Sequence, residues 1–491
     1  MKMATNRLSR RGFLRLAVGA TIGGILAGCS PTSAPATEPP AQVSETTAPA
    51  ATAPATTAPE AQTSKSAKLV VFWRTNPKEI DTMKQAFADF QTKNPGLTVD
   101  FITVASGDEG EMKLEAQFAA GTPPEVYASV FSAGLVDYVY RDMVLELTPY
   151  IQRDSYDQSD FSKTAIDTFT FGGKQYGIPR GGIPCCFFYN KDMFDKAGVK
   201  YPPSNWEDKN WTWDQMLETA RKLTTEKDGK IDEYGISFGN INYNQFPMLW
   251  GKDIFPPDAG KYGITQQQNF TDPDVIASYQ KAVDLTFKEN VSPTPEISQA
   301  LSSLGGNSVF LSGKVAMVSN LANYASANDA KFNWSVGVFP RGSSDIQQRS
   351  MTFTGPWLIG KGCAHPDEAW KLITYLSSEE GQKFVAQGAV VGTCRISMFK
   401  WWLGQFKAPL EDMLAVQQGG YQHGTESPNV RTVAWTQIKN TLDADFDPLW
   451  LGKATADACA KTVAPKLDQI LKETYDANKD KAKALFGDFP G

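Results

Sequence analysis

From Lys68 onward the chain alternates strand-like and helix-like segments, and that alternation restricts the fold to a few architectures. "KLVVFW" (68–73) is an unbroken apolar run suited to a strand covered on both faces. "PKEIDTMKQAFADFQTKNPG" (77–96) puts Ile80, Met83, Phe87 and Phe90 on one helical face and stops at Asn94-Pro95-Gly96. "LTVDFITV" (97–104) alternates as a second strand, "EMKLEAQFAAG" (111–121) is a helix ending on Gly121, and "PPEVYASVF" (123–131) reads as a third strand. Strands separated by helices of this length build a mainly parallel sheet, so the class is α/β.

The pattern continues. Thr212 and Gln215 make a capping box for the helix "WDQMLETARKL" (213–223). Strand-like "EYGISFG", "SVFLSGKVAMVSN", "WSVGVFPRG" and "TFTGPWLIG" alternate with helical "PDVIASYQKAVDLTFKEN" and the helix pair of 365–388. The last hundred residues are mostly helical, and no internal repeat is present. At 491 residues the chain exceeds what one core covers, about 250–300 residues, so two α/β lobes with a helical C-terminal section are expected.

The first residues read as an address. "SRRGFLR" (9–15) precedes a short apolar run (16–27) that ends in "LAGC" at Cys29. A dozen apolar residues suit a signal peptide better than a membrane span, which needs about 20. The paired arginines resemble the twin-arginine export signal of bacteria, and "LAGC" resembles the lipobox whose cysteine is acylated. Residues 1–28 are therefore expected to be a signal peptide and Cys29 a lipid anchor. Residues 29–66 are dominated by Pro, Ala, Thr and Ser and cannot bury enough surface to offset their ordering entropy. They read as a disordered tether, with a fully extended reach on the order of 100 Å.

The formal net charge is −6, and residues 1–28 carry Lys2, Arg7, Arg10, Arg11 and Arg15 with no acid, so the remainder is still more acidic. That argues against nucleic acid as a partner. Besides Cys29 there are Cys185, Cys186, Cys363, Cys394 and Cys459. None shows C-x-x-C spacing, and only His365 and His423 accompany them, which speaks against a zinc site. A Cys363–Cys394 bridge and small buried thiols are both open readings.

Six stretches occurring in order resemble the family 1 extracellular solute-binding proteins of ABC importers, the maltose-binding-protein-like group. They are "AAGTPPEVY", "YGIPRGGIPCCFFYNKDMFDKAG", "WTWDQMLETARKL", "FLSGKVAMVSN", "VGVFPRG" and "GPWLIGKGCAHPDEAWKLITYLSSEEGQKF". The resemblance covers the chain from about Lys68 to the C-terminus. It implies a two-lobed periplasmic-binding-protein-like fold, with an N-terminal lobe of 67–179 and 341–388 and a C-terminal lobe of 180–340 and 389–491. It implies capture of a sugar or sugar derivative between the lobes and delivery to ABC permease subunits. A monomer tethered to the outer face of the cytoplasmic membrane, without cofactor or metal, follows from the same likeness.

The resemblance also places residues. The chain crosses between lobes at "YGIP", which makes Gly177, Pro179, Gly181 and Gly182 hinge residues and sets Arg180 between the lobes. Read from the residues alone, "PRGG" is rather a glycine-rich surface turn with a solvated arginine. Ligands of open α/β sheets gather at the carboxyl ends of strands, which selects Trp73, Arg74, Ser129 and Phe131. Trp73 is otherwise plain core, and Phe131 favours core over ligand. Trp250, Asn320, Tyr324, Trp357, Arg395 and Trp435 complete the candidate set, since a sugar ring packs on aromatic faces and its hydroxyls need charged or amide partners. Many family members carry an acidic or amide residue where this chain has Arg180, Gly181 and Gly182. A non-sugar polar solute such as a glycerophosphodiester or polyamine is the alternative cargo, and a secreted glycoside hydrolase with two carboxylates the alternative class.

Overall fold

The alternation of strands and helices produces a ten-stranded mixed sheet whose members run from both ends of the chain. The computed structural model describes residues 66–74, 77–104, 108–128, 134–239, 242–305, 308–387, 392–426 and 428–490. The expected signal peptide and tether, with Cys29, lie outside these residues.

The strand Ala67–Arg74 pairs in parallel with Leu97–Val104 and with Val126–Tyr127. The third strand is thus shorter than the 123–131 run suggested. Helix Pro77–Lys93 returns the chain across this parallel part, burying Met83, Phe87 and Phe90 as its periodicity requires. The remainder of the sheet is mixed. Strand Ser350–Ile359 runs antiparallel to Val126–Tyr127 and to Gly177–Asn190. Gly177–Asn190 in turn pairs antiparallel with Val315–Leu321 and Trp334–Gly337, and Lys230–Ser237 lies parallel to Val315–Leu321. The Thr212 side chain accepts a hydrogen bond from the Gln215 amide and caps helix Trp213–Leu223, as the capping box predicts.

Two separate cores explain why a chain of this length needs two lobes. One gathers Leu69, Val71, Phe90, Ile178, Trp357 and Trp370. The other gathers Ile183, Phe187, Met351, Leu442 and Val463. Strand Gly177–Asn190 contributes Ile178 to the first and Ile183 to the second, and strand Ser350–Ile359 contributes Trp357 and Met351 in the same way. These two long strands, paired side by side, carry the chain from one core to the other. The C-terminal section is helical as expected: Trp435–Trp450 is followed by the 30-residue helix Ala456–Leu485. A third cluster ties that section to the first lobe through Tyr140, Tyr262, Val433 and Ala482. There the Tyr140 hydroxyl donates to the Tyr262 carbonyl (2.6 Å) and the Lys481 ammonium to the Tyr140 carbonyl (2.7 Å). Among the described residues no helix is long and apolar enough to cross a membrane.

Candidate functional site

The "PRGG" stretch does not interrupt its strand. All fourteen residues from Gly177 to Asn190 are extended and buried. Pro179 faces Pro356 and Gly181 faces Gly355, with the register slipping between Gly355 and Pro356, so Arg180 is the extra residue of a bulge. Two prolines opposite each other donate nothing to the ladder, and a bulge is where a sheet tolerates that. The glycines answer to sterics. A Cβ on Gly177 would meet Leu358 Cδ2 and Pro356 Cβ at 3.0 Å, and one on Gly182 would meet Thr354 Cγ2 at 2.7 Å and collide with the Tyr421 hydroxyl. Neither residue has a positive φ, so close strand packing, not dihedral freedom, demands glycine here.

Arg180 is not solvated. Its guanidinium lies 4.5 Å from the Trp73 ring centroid and 3.9 Å from Glu79, all three side chains being buried. Trp73 packs on Trp357 at 5.0 Å between ring centroids. These three candidates form one buried unit under the crossing strands. Tyr324 is buried too, enclosed by Phe188, Trp402 and Phe406. Trp250, half-buried, packs on Trp213. Arg395 donates to the Ser377 carbonyl (2.7 Å) and Asp160 (3.2 Å) and covers Phe161, all three of them residues of the first lobe. Asn320 is exposed and its amide oxygen accepts from the Leu321 amide. Arg74 ends its strand as expected, while Ser129 and Phe131 lie outside the described residues. The five cysteines at 185, 186, 363, 394 and 459 are free thiols.

Trp435 is among the residues lining a cavity of about 720 Å³. Ala434 precedes it at φ 60°, a left-handed conformation that costs an L-residue about 1 kcal/mol. That turn starts helix Trp435–Trp450, whose first residue borders the cavity while its side chain, only 4% exposed, packs into the second core. The opposite wall comes from helix Asp108–Ala119 and helix Leu135–Tyr140 in the first lobe, which present Glu111, Glu115, Asp137 and Arg141. Asn440, Asp445 and Lys466 complete the C-terminal side. Amides and several carboxylates facing each other across the two lobes can bind a small polyhydroxyl solute by hydrogen bonding.

The electrostatics of this cavity are lopsided. Arg141 contacts Glu115 at 2.8 Å, Asp137 at 3.1 Å and Glu111 at 3.9 Å, and Lys466 contacts Asp445 at 2.7 Å. Both cations are therefore taken. Glu111 is 7% exposed and accepts from the Tyr138 hydroxyl at 2.8 Å. Burial lifts its carboxyl from 4.5 to about 7; the Tyr138 hydrogen bond and Arg141 oppose the rise, and Glu115 and Asp137 add to it. A second cavity, of about 570 Å³, is lined by Asp253, Arg349, Glu426 and Arg431, but its charges are spent on each other in the Arg349–Asp253 and Arg431–Glu426 pairs.

Comparison with known proteins bears on what such a cavity serves. The family model described as bacterial extracellular solute-binding protein matches residues 76–383. The chain belongs to that family. A Brucella abortus (strain 2308) protein named as a binding protein is 25% identical over 404 residues, covering 78% of this chain and 88% of that one. The sn-glycerol-3-phosphate-binding periplasmic protein of Salmonella typhimurium is 20% identical over 430 residues, covering 84% and 94%. Among solved structures, an ABC substrate-binding protein of Listeria monocytogenes in complex with cycloalternan aligns with a TM-score of 0.68 at 22% identity, covering 83% of this chain and 99% of that one. This last likeness shows the shared two-lobed fold.

Within this solute-binding protein, Trp435 borders a cavity with carboxylates that sequence reasoning did not single out. A signal existed: Glu111 and Glu115 stand four residues apart on a helix, as do Asp137 and Arg141, so each pair shares a face. Such pairs also describe any solvated helix surface. Only the packing of the C-terminal helices against the first lobe separates the two meanings.

Proposed function

We propose that this solute-binding protein captures a sugar or sugar derivative between its lobes and hands it, chemically unchanged, to the permease subunits of an ABC importer. The observation that carries the reading is the cavity walled by Trp435 on one side and by the Glu111 and Arg141 helices on the other. A ligand that touches both walls favours the closed arrangement by its differential affinity, and the permease reads that shape. In this reading the lobes are 67–179 with 341–388 and 180–340 with 389–491, and Gly177, Pro179, Gly181 and Gly182 lie at the hinge. The twin-arginine signal exports the chain, lipidated Cys29 holds it as a monomer at the outer face of the membrane, and residues 29–66 supply the reach.

The Listeria relative's bound cycloalternan supports the sugar class. The Salmonella relative's name keeps a glycerol phosphate as the second reading. Thermal-shift titration of the full chain against oligosaccharides, sugar acids, glycerophosphodiesters and polyamines decides between them. A ligand at about 100 times its dissociation constant adds about 2.7 kcal/mol. A saturable shift with a sugar, lost in Trp435→Ala and with the sugar recovered intact, is expected. A shift with glycerophosphodiesters alone overturns the cargo, and appearance of a cleaved product overturns capture itself.

A further inference from the structure

The cavity that holds Trp435 also has a chemical preference, which rests on the sugar-capture reading above. Four carboxylates (Glu111, Glu115, Asp137 and Asp445) face two cations, Arg141 and Lys466, and both cations already lie in ion pairs. Two carboxylate oxygens stay buried without a hydrogen-bond partner: Glu111 Oε1 and Asp445 Oδ2. They come from opposite sides of the cavity, one on helix Asp108–Ala119 and one on helix Trp435–Trp450. A buried, unsatisfied acceptor is costly, so this pair is built for a ligand that brings donors to both.

We propose that the cavity selects a sugar bearing an amino group, held as an ammonium between Glu111 and Asp445. The excess of carboxylate is the complement of a cation, and the absence of an unpaired arginine or lysine among the described lining residues leaves a phosphate or sugar acid nothing to bind. Hydroxyl groups of a neutral sugar satisfy the same acceptors but leave the charge uncompensated. Burial lifts the Glu111 carboxyl to about 7 even with Arg141 at 3.9 Å, and a further cation beside it would oppose that rise.

The test uses two disaccharides of one skeleton. β-1,4-linked glucosamine dimer and cellobiose differ by amino in place of hydroxyl, and sn-glycerol 3-phosphate serves as the anion. Isothermal titration of the full chain is run with wild type, Glu111→Gln and Asp445→Asn, each checked for an unchanged far-UV spectrum. The amino disaccharide is expected to bind at least about 10-fold more tightly than cellobiose, a preference that weakens with salt. In either variant the preference is expected to fall to about 2-fold or less. Equal affinity for the two disaccharides overturns the amino preference and leaves sugar capture standing. A preference that survives in both variants overturns the assignment to Glu111 and Asp445. Binding of sn-glycerol 3-phosphate with no response to either disaccharide overturns this inference and the sugar reading together.

Discussion

Glu111→Gln should make the protein more stable at alkaline pH, and the size of the gain follows from the structure. In the folded chain Glu111 titrates at about 7, because its carboxyl is withdrawn from water with only the Tyr138 hydroxyl and a distant Arg141 to favour ionisation. In the unfolded chain it returns to 4.5. The folded state thus holds this proton more tightly than the unfolded one. The contribution is fully present below the unfolded value and is lost as pH rises through the folded value. Stability falls by about 1.4 kcal/mol per pH unit over that window, about 3 kcal/mol in all. Glutamine copies the protonated acid in shape and still accepts from Tyr138, but it cannot ionise. Wild type and variant should therefore match near pH 4.5 and separate by about 3 kcal/mol by about pH 8. Urea unfolding of both proteins across that range measures the difference. The other groups around Glu111 (Tyr127, Tyr138, Asp137, Arg141 and Glu115, with Asp445 and Lys466 across the cavity) are common to both and cancel. Parallel stability curves would refute the argument, since they would mean Glu111 ionises as freely in the folded chain as in water.

Three further outcomes follow from the crossing strands and the start of the Trp435 helix. Gly182→Ala should lower stability by about 1–3 kcal/mol, because its methyl meets Thr354 Cγ2 and the Tyr421 hydroxyl, and adding Tyr421→Phe should return part of the loss in thermal unfolding. Arg180→Met should cost about 3–5 kcal/mol by leaving Glu79 buried beside a neutral side chain, with sugar affinity unchanged within about 2-fold; a selective loss of ligand binding at full stability would return Arg180 to the binding site. Ala434→Gly should raise stability by about 1 kcal/mol by relieving the left-handed backbone before Trp435. A lower melting temperature in that variant would show that Ala434 is held by contacts worth more than the strain.

The contrast between Arg180 and Trp435 shows where sequence reading stops. The order of strands and helices and the crossing near residue 178 were legible, because each rests on local periodicity or on motifs a few residues long. What Arg180 does was not. Its bulge exists because Pro179 meets Pro356, a partner more than 170 residues downstream, and its cation is consumed by Trp73 and Glu79 from yet another segment. A lone arginine among glycines is therefore compatible with a turn, a ligand contact or a buried tie, and pairing alone decides. Glu111 and Asp445 were hidden for the same reason: they stand more than 330 residues apart and share one cavity only once the C-terminal helices pack on the first lobe. Three of the tryptophans singled out for stacking, at 73, 250 and 357, turn out to be packed against other rings, as residues with that much apolar area usually are. Trp435 is buried as well, but the left-handed residue before it turns the chain at the point where the cavity opens. Backbone strain of that kind persists only where surrounding structure over-determines it, and here what surrounds it is the wall to which the ligand is assigned.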